Sequence, residues 1–228
     1  MADELGTVIV TGGASGLGRA VAEAVRDAGG TAGVLDRVPV DGFPHEVVDL
    51  ADTRAAEAAT VRVAERLGGV DAVFTAAGVD RPGALDDVPG DVWDRIVSVN
   101  LLGTAAVTRA ALPYLKRRAG KVVTVASTLG LKAVGDATAY CASKFGVVGF
   151  TRALAVELRG QVGVTLLIPG GMSTAFFDDR DEQYKPPPDA KLSSPADVAQ
   201  AVLFALRRPP GFEVREIVVA SSVEGSWP

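Results

Sequence analysis

Short apolar runs alternate with amphipathic stretches along almost the whole chain. Residues 6–11 (GTVIVT) are a β-branched run ending in a glycine-rich turn, which predicts a buried strand. Residues 16–28 carry small and apolar side chains at helical spacing and stop at Gly29-Gly30, which predicts a helix. The same reading predicts strands over 31–36, 45–50 and 70–78, with an Ala-rich amphipathic helix over 52–67 between the last two. Two helices follow within 89–99 and 101–118, then a strand over 121–127, a long helix over 139–159, and strands over 162–168 and 214–220. Strands that are apolar along their length, alternating with helices, indicate a parallel sheet covered on both faces. The expected fold class is therefore α/β.

One stretch departs from this rhythm. Residues 170–194 show little periodicity and contain Asp178-Asp179-Arg180-Asp181 and Pro186-Pro187-Pro188. A loop that long inside a folded unit is usually a functional lid or disordered. No domain boundary is visible, so residues 1–228 read as one domain with a loop segment around 173–194.

Composition narrows the chemistry. Nearly half of the 228 residues are apolar, and the formal net charge is −5 at pH 7. No basic run resembles a nucleic-acid arm, so a nucleic-acid partner is not expected. The acidic start at Asp3 and Glu4 is unlike a secretory signal, and no apolar run approaches the ~20 residues that span a bilayer. A cytoplasmic protein without a membrane partner is the expectation. Cys141 and His45 are single examples of their kinds, which nearly excludes an internal disulfide, a His/Cys metal cluster and a Ser-His-Asp hydrolase.

The turn after the first strand reads Thr11-Gly12-Gly13-Ala14-Ser15-Gly16-Leu17-Gly18. Glycines there allow backbone to approach a pyrophosphate, and the helix N-terminus behind them offers unpaired N–H groups. The spacing G-x-x-x-G-x-G differs from the common G-x-G-x-x-G fingerprint, and a tight βα connection alone would also use glycines. Asp36 ends the second strand about 20 residues later, where an acid can accept hydrogen bonds from an adenosine ribose. Its charge would repel the extra phosphate of NADP, which favours NAD, although Arg37 beside it could pair with that phosphate. Asp49 and Leu50 could flank the adenine, or be an ordinary strand end.

Tyr140 and Lys144 lie four residues apart at the start of a helix and share one face. An adjacent ammonium stabilises a phenolate, so the pair makes an acid/base group that needs no histidine. Ser127 could hydrogen-bond a substrate oxygen or simply cap a helix. Asn100 could bind backbone and a water that relays protons to Lys144, or simply break a helix.

Taken together, these residues resemble the short-chain dehydrogenase/reductase family, in its short single-domain branch with a Y-x-x-x-K active site. The resemblance spans residues 7–220 and rests on the glycine turn, Ala76-Ala77-Gly78, Asn100, Ser127, Tyr140 with Lys144, and Pro169-Gly170-Gly171-Met172-Ser173-Thr174. It implies an NAD(P)(H)-dependent enzyme interconverting a secondary alcohol and a ketone. Tyr140 would exchange the proton, and Lys144 would bind the nicotinamide ribose and tune Tyr140. Ser127 would polarise the carbonyl, and Asn100 would hold the relay water. Pro169, Gly170, Met172 and Thr174 would contact the nicotinamide. The fold would be a Rossmann-type, doubly wound parallel sheet of seven strands in the order 3-2-1-4-5-6-7 with helices on both faces. Residues 1–228 would form a single NAD(P)-binding domain, and assembly would be a homodimer or homotetramer through the helices at 101–118 and 139–159.

One departure stands out. Where the family commonly has Asn-Asn-Ala-Gly, this chain has Thr75-Ala76-Ala77-Gly78, which puts local stability in doubt more than chemistry. Two other functions stay open: an NAD-binding sensor or scaffold without turnover, and an isomerase or dehydratase with transient hydride transfer. The substrate itself, a small alcohol or ketone, is not legible.

Overall fold

The computed structural model describes residues 5–227; the acids at positions 3 and 4 lie outside that range. Seven strands form one parallel sheet: β1 (Thr7–Thr11), β2 (Thr31–Asp36), β3 (His45–Val47), β4 (Ala72–Thr75), β5 (Lys121–Val125), β6 (Gly163–Pro169) and β7 (Glu216–Val219). Their order is β3-β2-β1-β4-β5-β6-β7, the doubly wound arrangement expected. The central strands bury both faces, as their unbroken apolar runs require. Val8 and Val10 of β1 point into a core shared with Val21 and Val25 of α1 (Gly16–Asp27) and Val198 and Val202 of α6 (Pro195–Leu206). Ile9, between them, points the opposite way. It meets Val63 of α2 (Thr53–Arg66), Val107 of α4 (Thr104–Arg118) and Leu154 of α5 (Thr138–Glu157).

The strand order reverses direction between β1 and β4. Such a switch point opens a crevice at the carboxyl ends of the strands, where the loops leave the sheet. The functional site lies there.

Three differences from the sequence reading have clear causes. Strands end earlier than the apolar runs do: β3 stops at Val47 and β4 at Thr75, because the next residues turn into the crevice. The two helices expected within 89–99 and 101–118 are one helical run, Gly90–Arg118, joined by a π-helical stretch, Ser98–Gly103. Its mean hydropathy of 1.3 over an 18-residue window meets the length and composition test for a membrane span, contrary to the sequence expectation, yet half of that window is buried inside the fold. Finally, α6 was not expected at all. Its start signals are present in the sequence: the Ser194 hydroxyl accepts from the Ala196 N–H, and Pro195 occupies the first turn. Opposite its core face, Val198-Val202-Leu206, the same helix exposes Phe204, so apolar residues lie on more than one side and blur its period.

Candidate functional site

The first glycine turn is shaped by contacts that forbid side chains. Gly12 and Gly16 adopt φ of +72° and +56°, a region that glycine enters freely. Gly18 is helical, but a Cβ there would sit 2.2 Å from the Gly12 carbonyl oxygen, so α1 packs directly on the turn. Ser15 precedes the helix without capping it through its side chain, and no acid occupies the first turn. The leading N–H groups of α1 thus remain available to an anion at the crevice. The Ala14 N–H donates to Asp36 Oδ2 at 2.9 Å, which ties the acid at the end of β2 to the glycine turn. A dinucleotide pyrophosphate fits this cradle.

These residues border one cavity of about 600 Å³, within the range of small-molecule and cofactor sites. At one end it is lined by Gly12, Ser15, Gly16, Leu17, Gly18, Asp36, Arg37, Asp49 and Leu50. Its middle passes Ala76, Ala77 and Gly78, and its far end holds Ser127, Tyr140, Lys144, Pro169, Gly170, Met172 and Thr174. Every residue expected to touch a coenzyme therefore faces one space.

Asn100 alone of the expected set does not line the cavity. It is buried in the π-helical stretch, where the wider turn sets its carboxamide outside the helical ladder. Its Oδ1 accepts from the Val79 N–H at 2.8 Å, and its Nδ2 donates to the Val79 carbonyl at 2.9 Å and to Ser143 Oγ at 3.0 Å. The sequence reading anticipated backbone binding; the two-way grip on Val79 shows that Asn100 clamps the loop after β4. Gly78 lies between the clamp and the lysine: a Cβ on it would come 3.4 Å from Asn100 Oδ1 and 3.7 Å from Lys144 Nζ.

Helix α5 presents Tyr140 and Lys144 one turn apart. Lys144 is buried and its Nζ donates to the Val125 carbonyl at 2.9 Å, which anchors the ammonium at the end of β5. Burial lowers its pKa from 10.5 to about 8, while the charge of Asp80 works to keep the proton on. The Nζ stands 5.6 Å from the centre of the Tyr140 ring. The Tyr140 phenol is pushed well above its ordinary range, first by burial and then by the Asp80 carboxylate, with a hydrogen-bonding contact to Ser127 pulling it back. The sequence reading made Lys144 lower this pKa; in the protein alone, burial and Asp80 outweigh any such effect. Tyr140 therefore carries its proton at neutral pH, the form needed to donate to a carbonyl oxygen.

Ser127 precedes a short 3₁₀ turn, Thr128–Gly130, and its hydroxyl accepts from the Leu129 N–H at 3.1 Å. It is thus both a cap and a cavity residue, so the two readings of it are compatible. At the Thr75 position the hydroxyl is buried without a hydrogen-bond partner among the described residues. The neighbouring turn is held differently, by Thr11 Oγ1 accepting from the Ala77 N–H at 3.0 Å.

Two groups of site residues escaped the sequence reading. Asp80, two residues past Gly78, accepts from Arg180 Nη2 at 2.7 Å, and burial raises its pKa against the pull of that guanidinium. The chain end supplies the other group. Glu224 Oε2 accepts from the Gly171 N–H at 2.8 Å, and Ser226 Oγ shares a hydrogen bond with Thr128 Oγ1 at 2.6 Å. Burial works to raise the Glu224 carboxyl, but the hydrogen bonds from Gly171 and Ser226 outweigh it and hold the group below its ordinary range. No local motif marks these partners, because each pairs with a residue 50 or more positions away. The stretch at 173–194 contains two 3₁₀ turns, Ala175–Phe177 and Glu182–Tyr184, and covers the far end of the cavity through Phe176, Phe177, Pro186 and Leu192.

A glycine cradle at the switch point of a doubly wound sheet, opening onto a half-buried Tyr140 beside a buried Lys144, defines a dinucleotide-dependent type of site. The short chain dehydrogenase family profile matches residues 6–185, and the chain belongs to that family of oxidoreductases. Subunit BbsD of the (2S)-[(R)-hydroxy(phenyl)methyl]succinyl-CoA dehydrogenase of Thauera aromatica is 32% identical over 231 residues, covering 92% of both chains. The 3-oxoacyl-[acyl-carrier-protein] reductase FabG of Thermotoga maritima is 30% identical over 216 residues, covering 86% of this chain and 88% of its own. Among solved structures, a short chain dehydrogenase from Burkholderia cenocepacia J2315 in complex with NADP superposes with TM-score 0.82 at 25% identity, covering 93% of this chain and 95% of its own. A ribose-5-phosphate isomerase from Brucella melitensis 16M superposes with TM-score 0.86 at 26% identity, covering 96% and 93%.

Proposed function

We propose that this protein interconverts a ketone and a secondary alcohol by hydride transfer, with Tyr140 as the proton donor and acceptor. The observation that carries the reading is a protonated, half-buried phenol beside an anchored ammonium, in one cavity with a pyrophosphate cradle. A nicotinamide coenzyme held along that cavity supplies the hydride. Gly12, Gly16 and the first turn of α1 bind its pyrophosphate, and Asp36 takes the adenosine ribose. The low surface of Ala76, Ala77 and Gly78 lets it pass between the two ends. Asp49, Leu50 and Arg37 border the adenine end, and Pro169, Gly170, Met172 and Thr174 border the nicotinamide end.

In reduction, Ser127 and Tyr140 hold the carbonyl oxygen. The Tyr140 hydroxyl donates its proton as negative charge develops on that oxygen, and the ammonium of Lys144 stabilises the resulting phenolate. Reprotonation follows from the Lys144 side, where Asn100 holds the Gly78–Val79 backbone in place. The segment at 173–194 closes over the substrate. Asp36 favours NAD over NADP, since its carboxylate would repel the added phosphate of NADP; the NADP-bound Burkholderia neighbour makes this choice worth measuring. Residues exposed along the two long helices, Leu102, Phe145 and Val156, fit assembly into a homodimer or homotetramer, and a cytoplasmic location fits the composition.

Turnover of NADH with a ketone panel in the wild type and Tyr140→Phe tests the role directly. The variant loses at least a thousandfold in kcat while its NADH affinity stays within threefold. Retained turnover with an unchanged pH profile removes Tyr140 from the chemistry. The likeness to a named isomerase favours one second reading, rearrangement of a sugar or hydroxyketone. Turnover that leaves the NADH absorbance unchanged would support that reading. A coenzyme-binding scaffold would bind NADH and turn over nothing.

A further inference from the structure

We propose that Asp80 and Arg180 form a charge-cancelling clasp that makes the far end of the cavity select neutral, mainly apolar ketones and reject carboxylate-bearing ones; this rests on the oxidoreductase reading above. Arg180 comes from the covering segment and lines the cavity. Its guanidinium lies 5.1 Å from the centre of the Phe176 ring and 4.7 Å from that of Phe177, and Phe176 lies 5.9 Å from the ring of Tyr140. A carbonyl held at Tyr140 therefore places its substituents against Phe176, Phe177 and Arg180. The same cavity is lined by Leu129, Pro186, Ala190 and Leu192, with the Glu224 carboxylate turned to the Gly171 N–H.

An unpaired guanidinium in such a wall would draw a carboxylate strongly, because little water screens the charge. Asp80 prevents this. Its Oδ2 accepts from Arg180 Nη2 at 2.7 Å, with the two side chains only 6% and 16% exposed. Asp80 is the fixed partner, since it follows Val79, whose N–H and carbonyl are both held by Asn100. Arg180 is the partner carried on the segment. A second fastening lies close by, where the Tyr184 hydroxyl donates to Asp136 Oδ2 at 3.0 Å.

The pair is a poor device for stability. Asp80 Oδ1 and Arg180 Nε are both buried without a hydrogen-bond partner among the described residues, and buried ion pairs with unsatisfied atoms return little or nothing on folding. What the pair supplies is a fixed position for Phe176 and Phe177 and a guanidinium whose charge is cancelled beside them.

The test uses 4-phenyl-2-butanone and its ring-carboxylated analogue 4-(3-oxobutyl)benzoate, two ketones that differ in one carboxylate. Their binding to NADH-loaded protein is measured by equilibrium dialysis in a Tyr140→Phe background, which does not consume them, alongside kcat/KM with Tyr140 intact, for the wild-type Asp80–Arg180 pair, Asp80→Asn and Asp80→Asn/Arg180→Gln. The wild type binds the neutral ketone at least tenfold more tightly than the benzoate. Asp80→Asn frees the guanidinium and moves that ratio at least tenfold toward the benzoate, and the double variant returns it to within threefold of the wild type. A wild-type preference for the benzoate, equal affinities, no binding of either ketone, or an Asp80→Asn ratio within twofold of wild type would each overturn the clasp. If Asp80→Asn does not fold, the wild-type ratio alone decides. Binding with the expected ratio but no NADH oxidation overturns the oxidoreductase reading and leaves the clasp standing.

Discussion

Lys144→Met separates the role of the lysine in catalysis from its effect on stability, and the two move in opposite directions. The ammonium is buried, with one hydrogen bond to the Val125 carbonyl at 2.9 Å. Its pKa falls from 10.5 in water to about 8 in the folded protein. At about 1.4 kcal/mol per pH unit, holding the charged form inside costs roughly 3 kcal/mol of stability at neutral pH. Methionine fills a similar volume without charge, and loss of the bond to Val125 takes back about 1 kcal/mol. The variant is therefore more stable than wild type at pH 7 by roughly 2 kcal/mol, or a Tm increase of roughly 4–8 °C for a chain of this size. The sign of the pH dependence follows from proton counting. Between pH 8 and 10.5 the unfolded wild type binds more protons at this position than the folded form. Wild-type stability relative to the variant thus rises through that window, and the gain of the variant disappears by its upper end. Urea unfolding of both proteins from pH 7 to 10.5, with NADH-linked turnover at pH 7, gives both readouts. Turnover falls at least a hundredfold. A variant less stable than wild type at pH 7, or a stability difference that does not change with pH, refutes the account of a costly buried ammonium.

Two further perturbations test the coenzyme end. Gly18→Ala forces a Cβ to within 2.2 Å of the Gly12 carbonyl oxygen unless backbone moves, so it lowers stability by about 1–3 kcal/mol in urea unfolding and weakens NADH binding at least tenfold by titration calorimetry. Asp36→Asn keeps an acceptor for the Ala14 N–H but removes the charge, so the kcat/KM ratio of NADH to NADPH falls at least tenfold; an unchanged ratio shows that Asp36 does not set the coenzyme choice.

The architecture was legible because each central strand is apolar on both faces, and the glycine turn was legible because its residues are consecutive. The Tyr140–Lys144 pair could be read from a helical spacing of four. What the sequence concealed depends on distance along the chain. Asp80 meets Arg180 100 positions away, and Glu224 meets Gly171 53 positions away; neither pairing leaves a local pattern. The same holds for the Tyr140 pKa. Helical spacing suggested that Lys144 would lower it, but burial and Asp80 lie on other elements and act more strongly in the opposite sense. Asn100 read either as a carboxamide that binds backbone and a water or as a helix break. The chain instead keeps its helix and widens one turn, because the carboxamide satisfies both polar groups of Val79 in exchange for an irregular ladder. Helix α6 was hidden by a different cause, an apolar surface on more than one side.

The central claim is transfer of hydride to a carbonyl carbon in the cavity that Tyr140 borders. NADH carrying deuterium at both C4 positions, incubated with the enzyme and a ketone that it consumes, measures this transfer most directly by mass spectrometry and proton NMR of the product. The account predicts one deuterium on the carbinol carbon for each NADH oxidised. A product without deuterium, or one formed with no net loss of NADH, would contradict it.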